Sequence, residues 1–231
     1  MDLREAIIPS RSSGAKLNLS KKGLTTIPEY VFEDNNIREL NLHDNKLSEI
    51  PPEIGNLTRL EKLVLSRNDI TALPPEIGKL INLRELSLKA NKIEELPAEL
   101  GNLINLEVLR LNFNQLKNLP PEIGKLKNLT HLYIEYNQIS ELPPEIGQLV
   151  NLSQFNIGRN NLSRLPIEFY GLTQINILDL TNSGPTITIE YDICYWRNLD
   201  ILYIDDISLQ FAPRCLLLRA HSSNRFSIVI R

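Results

Sequence analysis

Few residues in this chain of 231 combine a reactive side chain with the spacing that catalysis requires. General acid–base chemistry needs its groups within hydrogen-bond reach of one another. His131 and Glu135 are the nearest imidazole–carboxylate pair, and no nucleophile is supplied in the positions beside them. Cys194 and Cys215 are the two cysteines, and no His/Cys cluster has metal-ligand spacing. The recurrent Ile-Gly dipeptides never extend to the GxxxxGK[ST] pattern of a phosphate-binding loop. What remains is recognition chemistry. Arg110, Phe113, His131, Tyr133, Glu135 and Tyr136 crowd into 27 positions, and tyrosine and arginine are the types enriched where proteins bind one another.

These residues are embedded in a repeat. Asn45, Asn68, Asn91, Asn114, Asn137 and Asn160 follow one another at steps of 23. At the same step run Leu17, Leu40, Leu63, Leu86, Leu109, Leu132, Phe155 and Leu178, and two residues on run Leu19, Leu42, Leu65, Leu88, Leu111, Ile134, Ile157 and Leu180. Self-similarity at a fixed period is the signature of a solenoid, in which each repeat buries its apolar edge against its neighbours. Alternation such as Val108-Leu109-Arg110-Leu111 predicts a short strand with leucines inward and the intervening side chains outward. The following LPPEIGKL segments carry two prolines and a glycine, which forbid a long helix there.

The resulting pattern, LxxLxLxxNxLxxLPxxIGxLxxL, resembles the leucine-rich repeat family in its 23-residue intracellular class, over nearly the whole chain. The expected fold is an α/β repeat solenoid: a curved horseshoe with a parallel sheet of about ten short strands on the concave face, and short helical turns or extended segments on the convex face. One domain over 1–231 is expected, with an N-terminal helical cap at 1–14, regular 23-residue repeats at 15–184, and degenerate repeats ending in a terminal strand at 185–231. In that last region Trp196 takes a core leucine position. The step lengthens to 24, placing Leu202 and Ile204 in a ninth strand and Phe226 and Ile228 in a tenth.

The asparagine column has a structural explanation, because an inward-turned amide can satisfy backbone groups where each strand leaves the sheet. Function is expected instead at outward strand positions, where the frame makes no demand. The candidate protein-binding residues are Val64, Arg67, Lys89, Val108, Arg110, Asn112, Phe113, His131, Tyr133, Glu135, Tyr136, Asn156, Arg159, Asp179, Tyr203 and Asp205. With strands about 4.8 Å apart they form a continuous surface, from an aromatic and basic patch around Tyr133 to an acidic one around Asp179. His43, four strands from His131, would lie about 19 Å from it. No catalytic residue, metal or cofactor is assigned.

A net charge of −3 and a pI near 5.7 exclude the basic stripe of a general nucleic-acid binder. No apolar run of 18 residues exists to span a membrane. The first 14 residues carry charges at positions 2, 4 and 5 and lack a signal-peptide core, and the cysteines are too few for secreted caps, so a reducing cytoplasmic setting with unbridged thiols is expected. The Asn-Leu-Ser/Thr sequons are then by-products of the repeat. A monomer is expected, with the edge of the terminal strand a candidate oligomer contact. The resemblance to Ras-suppressor-type and plant intracellular Ras-group repeat proteins implies a non-catalytic scaffold that grips a folded partner, in a signalling role. Repeat effectors of intracellular bacteria supply the alternative: a secreted effector, or a regulator of an effector enzyme, acting by occlusion within the host cytoplasm.

Overall fold

The computed structural model describes residues 15–184, 187–205, 212–222 and 225–231; the expected cap at 1–14 lies outside them. Ten strands run in chain order through one open parallel sheet. They are β1 (Ala15–Asn18), β2 (Ile37–Asn41), β3 (Lys62–Val64), β4 (Glu85–Ser87), β5 (Val108–Arg110), β6 (His131–Tyr133), β7 (Gln154–Asn156), β8 (Ile177–Asp179), β9 (Ile201–Ile204) and β10 (Ser227–Ile230). Register follows the repeat: Leu40 faces Leu63, Leu63 faces Leu86, and Leu132 faces Phe155. The leucine columns therefore stack, and one buried core runs without a break from Leu17 to Phe226.

Between strands β1 and β9 the chain returns through eight five-residue 3-10 turns, such as Pro121–Lys125. In the PPEIG copies one proline precedes the turn and a second begins it, where a missing N–H costs nothing. The glycine meets a closer constraint. A Cβ at Gly101 would sit 2.6 Å from the carbonyl oxygen of Glu122 in the next turn, so only hydrogen lets the turns stack this closely.

The asparagines resolve the corner after each strand. Asn114 is buried; its amide donates to the carbonyls of Leu88 at 3.0 Å and Leu111 at 2.9 Å, while its oxygen accepts the amide of Ile93 at 3.0 Å. Asn68, Asn91, Asn137 and Asn160 make the same three bonds. A second ladder was not anticipated from the sequence. On the opposite side Asn82, Asn105, Asn128 and Asn151 each donate, at 2.8 Å, to a carbonyl 24 residues earlier.

Three expectations for the degenerate end need correction. The step to β10 is 26 rather than 24: Ile228 pairs with Leu202 and Ile230 with Ile204. The extra length is taken up by a nine-residue helix, α1 (Arg214–Ser222), where a short turn was expected. A slip of two leaves side chains on the expected face, so Phe226 is still buried. Finally, Cys194 and Cys215 are joined in a disulfide, with Cα atoms 6.0 Å apart. The repeat frame puts both cysteines on the convex side of adjacent repeats, where a bridge is sterically open; it was the expected reducing setting that argued against the bond.

The asparagine ladder lapses where the disulfide appears. Ser183 stands in its place and reaches only the carbonyl of Leu180. On the side of the second ladder, Arg219 of α1 supplies the donors, its guanidinium donating to the carbonyls of Trp196, Arg197 and Leu199 at 2.6 to 3.0 Å. Large rings fill the core here: Trp196 and Phe169 lie 5.4 Å apart, and the Trp196 indole N–H donates to the Tyr170 carbonyl.

Replacing Asn114 by Ala should strand the buried N–H of Ile93, while the Leu88 and Leu111 carbonyls each keep a second donor in Asn91 and Asn137, and cost about 1 to 3 kcal/mol, read as a lower urea midpoint with unchanged slope. The 21-residue spacing of the disulfide sets a second expectation. Titration of the unfolded, unreduced protein should find no free thiol, and Cys215→Ser should lower stability by about 3 kcal/mol; two titratable thiols would contradict the bond.

Candidate functional site

In β5, β6 and β7 the central side chain, Leu109, Leu132 or Phe155, is buried and the two flanking side chains lie on the open face. This places Arg110, Tyr133, Asn156, Asp179 and Tyr203 in one row across β5 to β9, and Val108 and His131 in another. Beyond the second buried leucine the chain turns the corner through a left-handed residue. Lys21, Asp44, Arg67, Ala90, Phe113, Tyr136, Arg159 and Asn182 all have φ between 51° and 60°. Bulky side chains are unusual in that region. Here the ladder holds the backbone: the amide of Phe113 donates to Glu135 and that of Tyr136 to Gly158. The left-handed conformation turns the rings of Phe113 and Tyr136 away from the core.

Of Arg110, Phe113, His131, Tyr133, Glu135 and Tyr136, expected to be near neighbours, the structure brings Phe113 to Tyr136 and both Arg110 and His131 to Tyr133, in two groups. Phe113 and Tyr136 stack with centroids 4.2 Å apart and planes 14° from parallel. They remain 41% and 42% exposed, so stacking does not bury them. Lys89 caps the free end of Phe113 at 5.4 Å and Arg159 that of Tyr136 at 5.0 Å, giving a file of cation, two rings and cation. The second group centres on Arg110, whose guanidinium lies 5.5 Å from the Tyr133 ring and pairs with Glu85. Glu85 also binds Lys62 at 2.7 Å. Burial works to raise the Glu85 carboxyl, but Lys62 and Arg110 more than offset it and hold it low. Glu85 and Lys62 lay in outward columns without being assigned to the site, and their opposite charges in adjacent repeats were the available signal.

His131 stacks loosely on Tyr133 at 6.3 Å, and its Nδ1 meets the hydroxyl of Thr130 at 2.8 Å. That hydroxyl in turn donates to the carbonyl of Glu107, at 2.9 Å. Burial, followed by repulsion from Arg110, pushes the imidazole below its usual range and favours the neutral ring. His43 belongs elsewhere, with Nδ1 3.1 Å from the Ser66 hydroxyl. Val64 and Arg67 stand on β3 and its corner, apart from the Tyr133 group.

Toward β9 the surface changes character. Asp179 accepts the amide of Thr181 at 2.9 Å, and Asp205 that of Asn182 at 3.0 Å. The acidic patch is partly occupied by the chain itself: the Arg231 guanidinium sits 3.7 Å from the Tyr203 ring centroid and 3.7 Å from Asp179. Asp206, also expected there, lies outside the described residues. Between the two patches stands Glu135. Burial raises its carboxyl above the usual carboxylate range and the Asp179 charge adds to this, while its own backbone amide, Lys89 and a hydrogen bond from Asn112 offset it only in part. Among the described residues the buried side-chain atoms with no hydrogen-bond partner are Asn112 Oδ1, Glu135 Oε2 and Thr181 Oγ1.

Among the described residues no group of three or more His, Cys, Asp or Glu side chains is arranged to hold a metal ion, and no helix is long and apolar enough to cross a membrane. The surface offers aromatic faces, guanidinium groups and carboxylates on rigid strands, which is chemistry suited to holding another molecule.

Three family models match the chain in succession: Leucine Rich repeats (2 copies) over residues 35–75, Leucine-rich repeat region over 75–138, and Leucine rich repeat over 127–184. No curated protein sequence matches it. Among solved structures, the ectodomain of the plant membrane receptor kinase GASSHO1/SCHENGEN3 from Arabidopsis thaliana, in complex with CASPARIAN STRIP INTEGRITY FACTOR 2, is 30% identical over 93% of this chain, with a TM-score of 0.75. The plant peptide hormone receptor RGFR1 in complex with RGF2 is 27% identical over 78% of it, with a TM-score of 0.66. This chain spans only 26% and 34% of those two proteins. Internalin C2 from Listeria monocytogenes is 28% identical over 82% of this chain and 80% of its own, with a TM-score of 0.73.

If Arg110 holds the His131 imidazole down, Arg110→Ala should raise the midpoint of its NMR titration toward the ordinary histidine value. An unmoved midpoint would assign the whole effect to burial.

Proposed function

Because the chain is a leucine-rich repeat protein, we propose that it is a non-catalytic scaffold that grips a folded protein partner through the concave, strand-lined face of a single solenoid domain. One observation carries this reading. The stacked pair Phe113 and Tyr136, flanked by Lys89 and Arg159, stays about two-fifths exposed on a rigid corner where it fills no part of the core. Exposed aromatic and arginine side chains held rigidly lose little freedom on binding, which makes them effective anchors. The neighbours lend support, since two are receptors described in complexes with a peptide hormone or an integrity factor.

A second reading has its own support. The chain spans 80% of internalin C2, a bacterial protein of similar extent, which favours a bacterial effector that acts by occluding its partner. The Cys194–Cys215 bond bears on where either would work. Cytosolic reductants keep thiols reduced, so the bond weighs toward an oxidising setting and against the cytoplasmic one expected from the sequence. Detection of the chain inside host cells would favour the effector reading.

The test is capture of the partner followed by mass spectrometry, comparing the wild type with Arg110→Ala/Tyr133→Ala and with Phe113→Ala/Tyr136→Ala. Each double variant should weaken capture by at least about 2 kcal/mol with a nearly unchanged melting transition. Undiminished affinity in both would move the site off this face.

A further inference from the structure

We infer that the repeat carrying α1 and β10 is a thiol-released cover over the Tyr203 end of the proposed binding face, an inference that rests on that reading. With the Cys194–Cys215 bond closed, β10 holds Arg231 against Asp179 and Tyr203. With the bond reduced, β10 separates from β9 and those two residues open to a partner.

The covering contact is made by the chain itself. β10 pairs with β9, and the amide of Arg231 donates to the Ile204 carbonyl at 3.1 Å. This carries the guanidinium back across the sheet, 3.7 Å from the Tyr203 ring centroid and 3.7 Å from Asp179 on β8. The Asp179 side chain is only 13% exposed beneath it. A guanidinium lying over a ring and beside a carboxylate occupies the position that an arginine of a partner would take.

The strand that delivers Arg231 is weakly held. Ile228 faces Leu202 and Ile230 faces Ile204. Leu202 and Ile204 are fully buried, whereas Ile228 is only partly buried and Ile230 is 51% exposed. The asparagine ladder has already lapsed at Ser183. Segments with few buried apolar contacts open locally at low free energy. What holds this one is Leu216 and Phe226 in the core, the Arg219 bonds, and the disulfide.

The disulfide is the component that chemistry can remove. It joins the turn Tyr191–Tyr195 to α1, and both cysteines are only half-buried, within reach of a reductant. Two molecules of a small thiol supply two electrons and two protons. The S–S bond breaks, two S–H bonds form on Cys194 and Cys215, and the thiols leave joined as their own disulfide. The loop closed by the bond then opens, and release of α1 and β10 regains the chain entropy that the bond had withheld.

The test compares the full chain in three forms: bridged, reduced with dithiothreitol and then blocked with iodoacetamide, and Cys194→Ser/Cys215→Ser. In the second and third, amide exchange at 201–204 and 226–231 should quicken by at least about tenfold while β3 to β6 stay unchanged. Hydroxyl-radical labelling of Tyr203 should rise several-fold, with Tyr136 as the unchanged control. Arg231→Ala, with the bond intact, should raise Tyr203 labelling while β10 stays protected. Four results would each overturn the inference: equal exchange in all three forms, loss of protection through every strand, opening in the blocked chain alone, or Tyr203 labelling indifferent to Arg231→Ala. Should the cover fail in this way while the Arg110/Tyr133 variant still loses its partner, the binding face stands and only its regulation falls.

Discussion

Everything in this molecule depends on neighbouring turns touching along their whole circumference. On the sheet side the contact distance is set by the backbone hydrogen bonds of parallel strands. On the far side it is set by glycine, since a Cβ at Gly78 or Gly124 would approach the next turn to 2.6 Å. Leucine fills the interior between these limits, and asparagine satisfies the corner where the strand ends. Four residue types thus hold four fixed stations, and none can drift without opening a gap along the core. The price of that uniformity is that nothing in the frame distinguishes one repeat from another.

Specificity has to come from positions the frame ignores, and the left-handed corner column shows how. Eight residues of widely different size share nearly the same φ there. Because the ladder sets the backbone conformation, the side chain is free to be lysine, alanine, phenylalanine or tyrosine. A non-glycine residue in this conformation costs on the order of 1 kcal/mol, a modest sum that the two ladder bonds at each corner offset. Aromatic rings displayed in this way are rigid without being buried.

Period and alternation made the frame legible: strand order, register, leucine columns and the corner role of asparagine all follow from a 23-residue step. The neighbourhood of Arg110, Tyr133, Phe113 and Tyr136 was legible too, since strand spacing alone puts their columns side by side. Legibility failed where information is not periodic. The helix Arg214–Ser222 and the two-residue change in the step to β10 belong to the one repeat whose sequence no longer resembles its neighbours, and the Cys194–Cys215 bond ties that repeat to the one before it.

The asparagine ladder also has a direction. Asn68 satisfies Leu42 and Leu47 of the preceding turn, and Asn114 satisfies Leu88 and Ile93, so each corner is completed by the repeat that follows it and never by the one before. Ending the solenoid after any turn therefore leaves that turn's corner amide without its asparagine acceptor, as Ile93 would be without Asn114, whereas ending it before a turn leaves an asparagine oxygen and one of its amide hydrogens for water to meet.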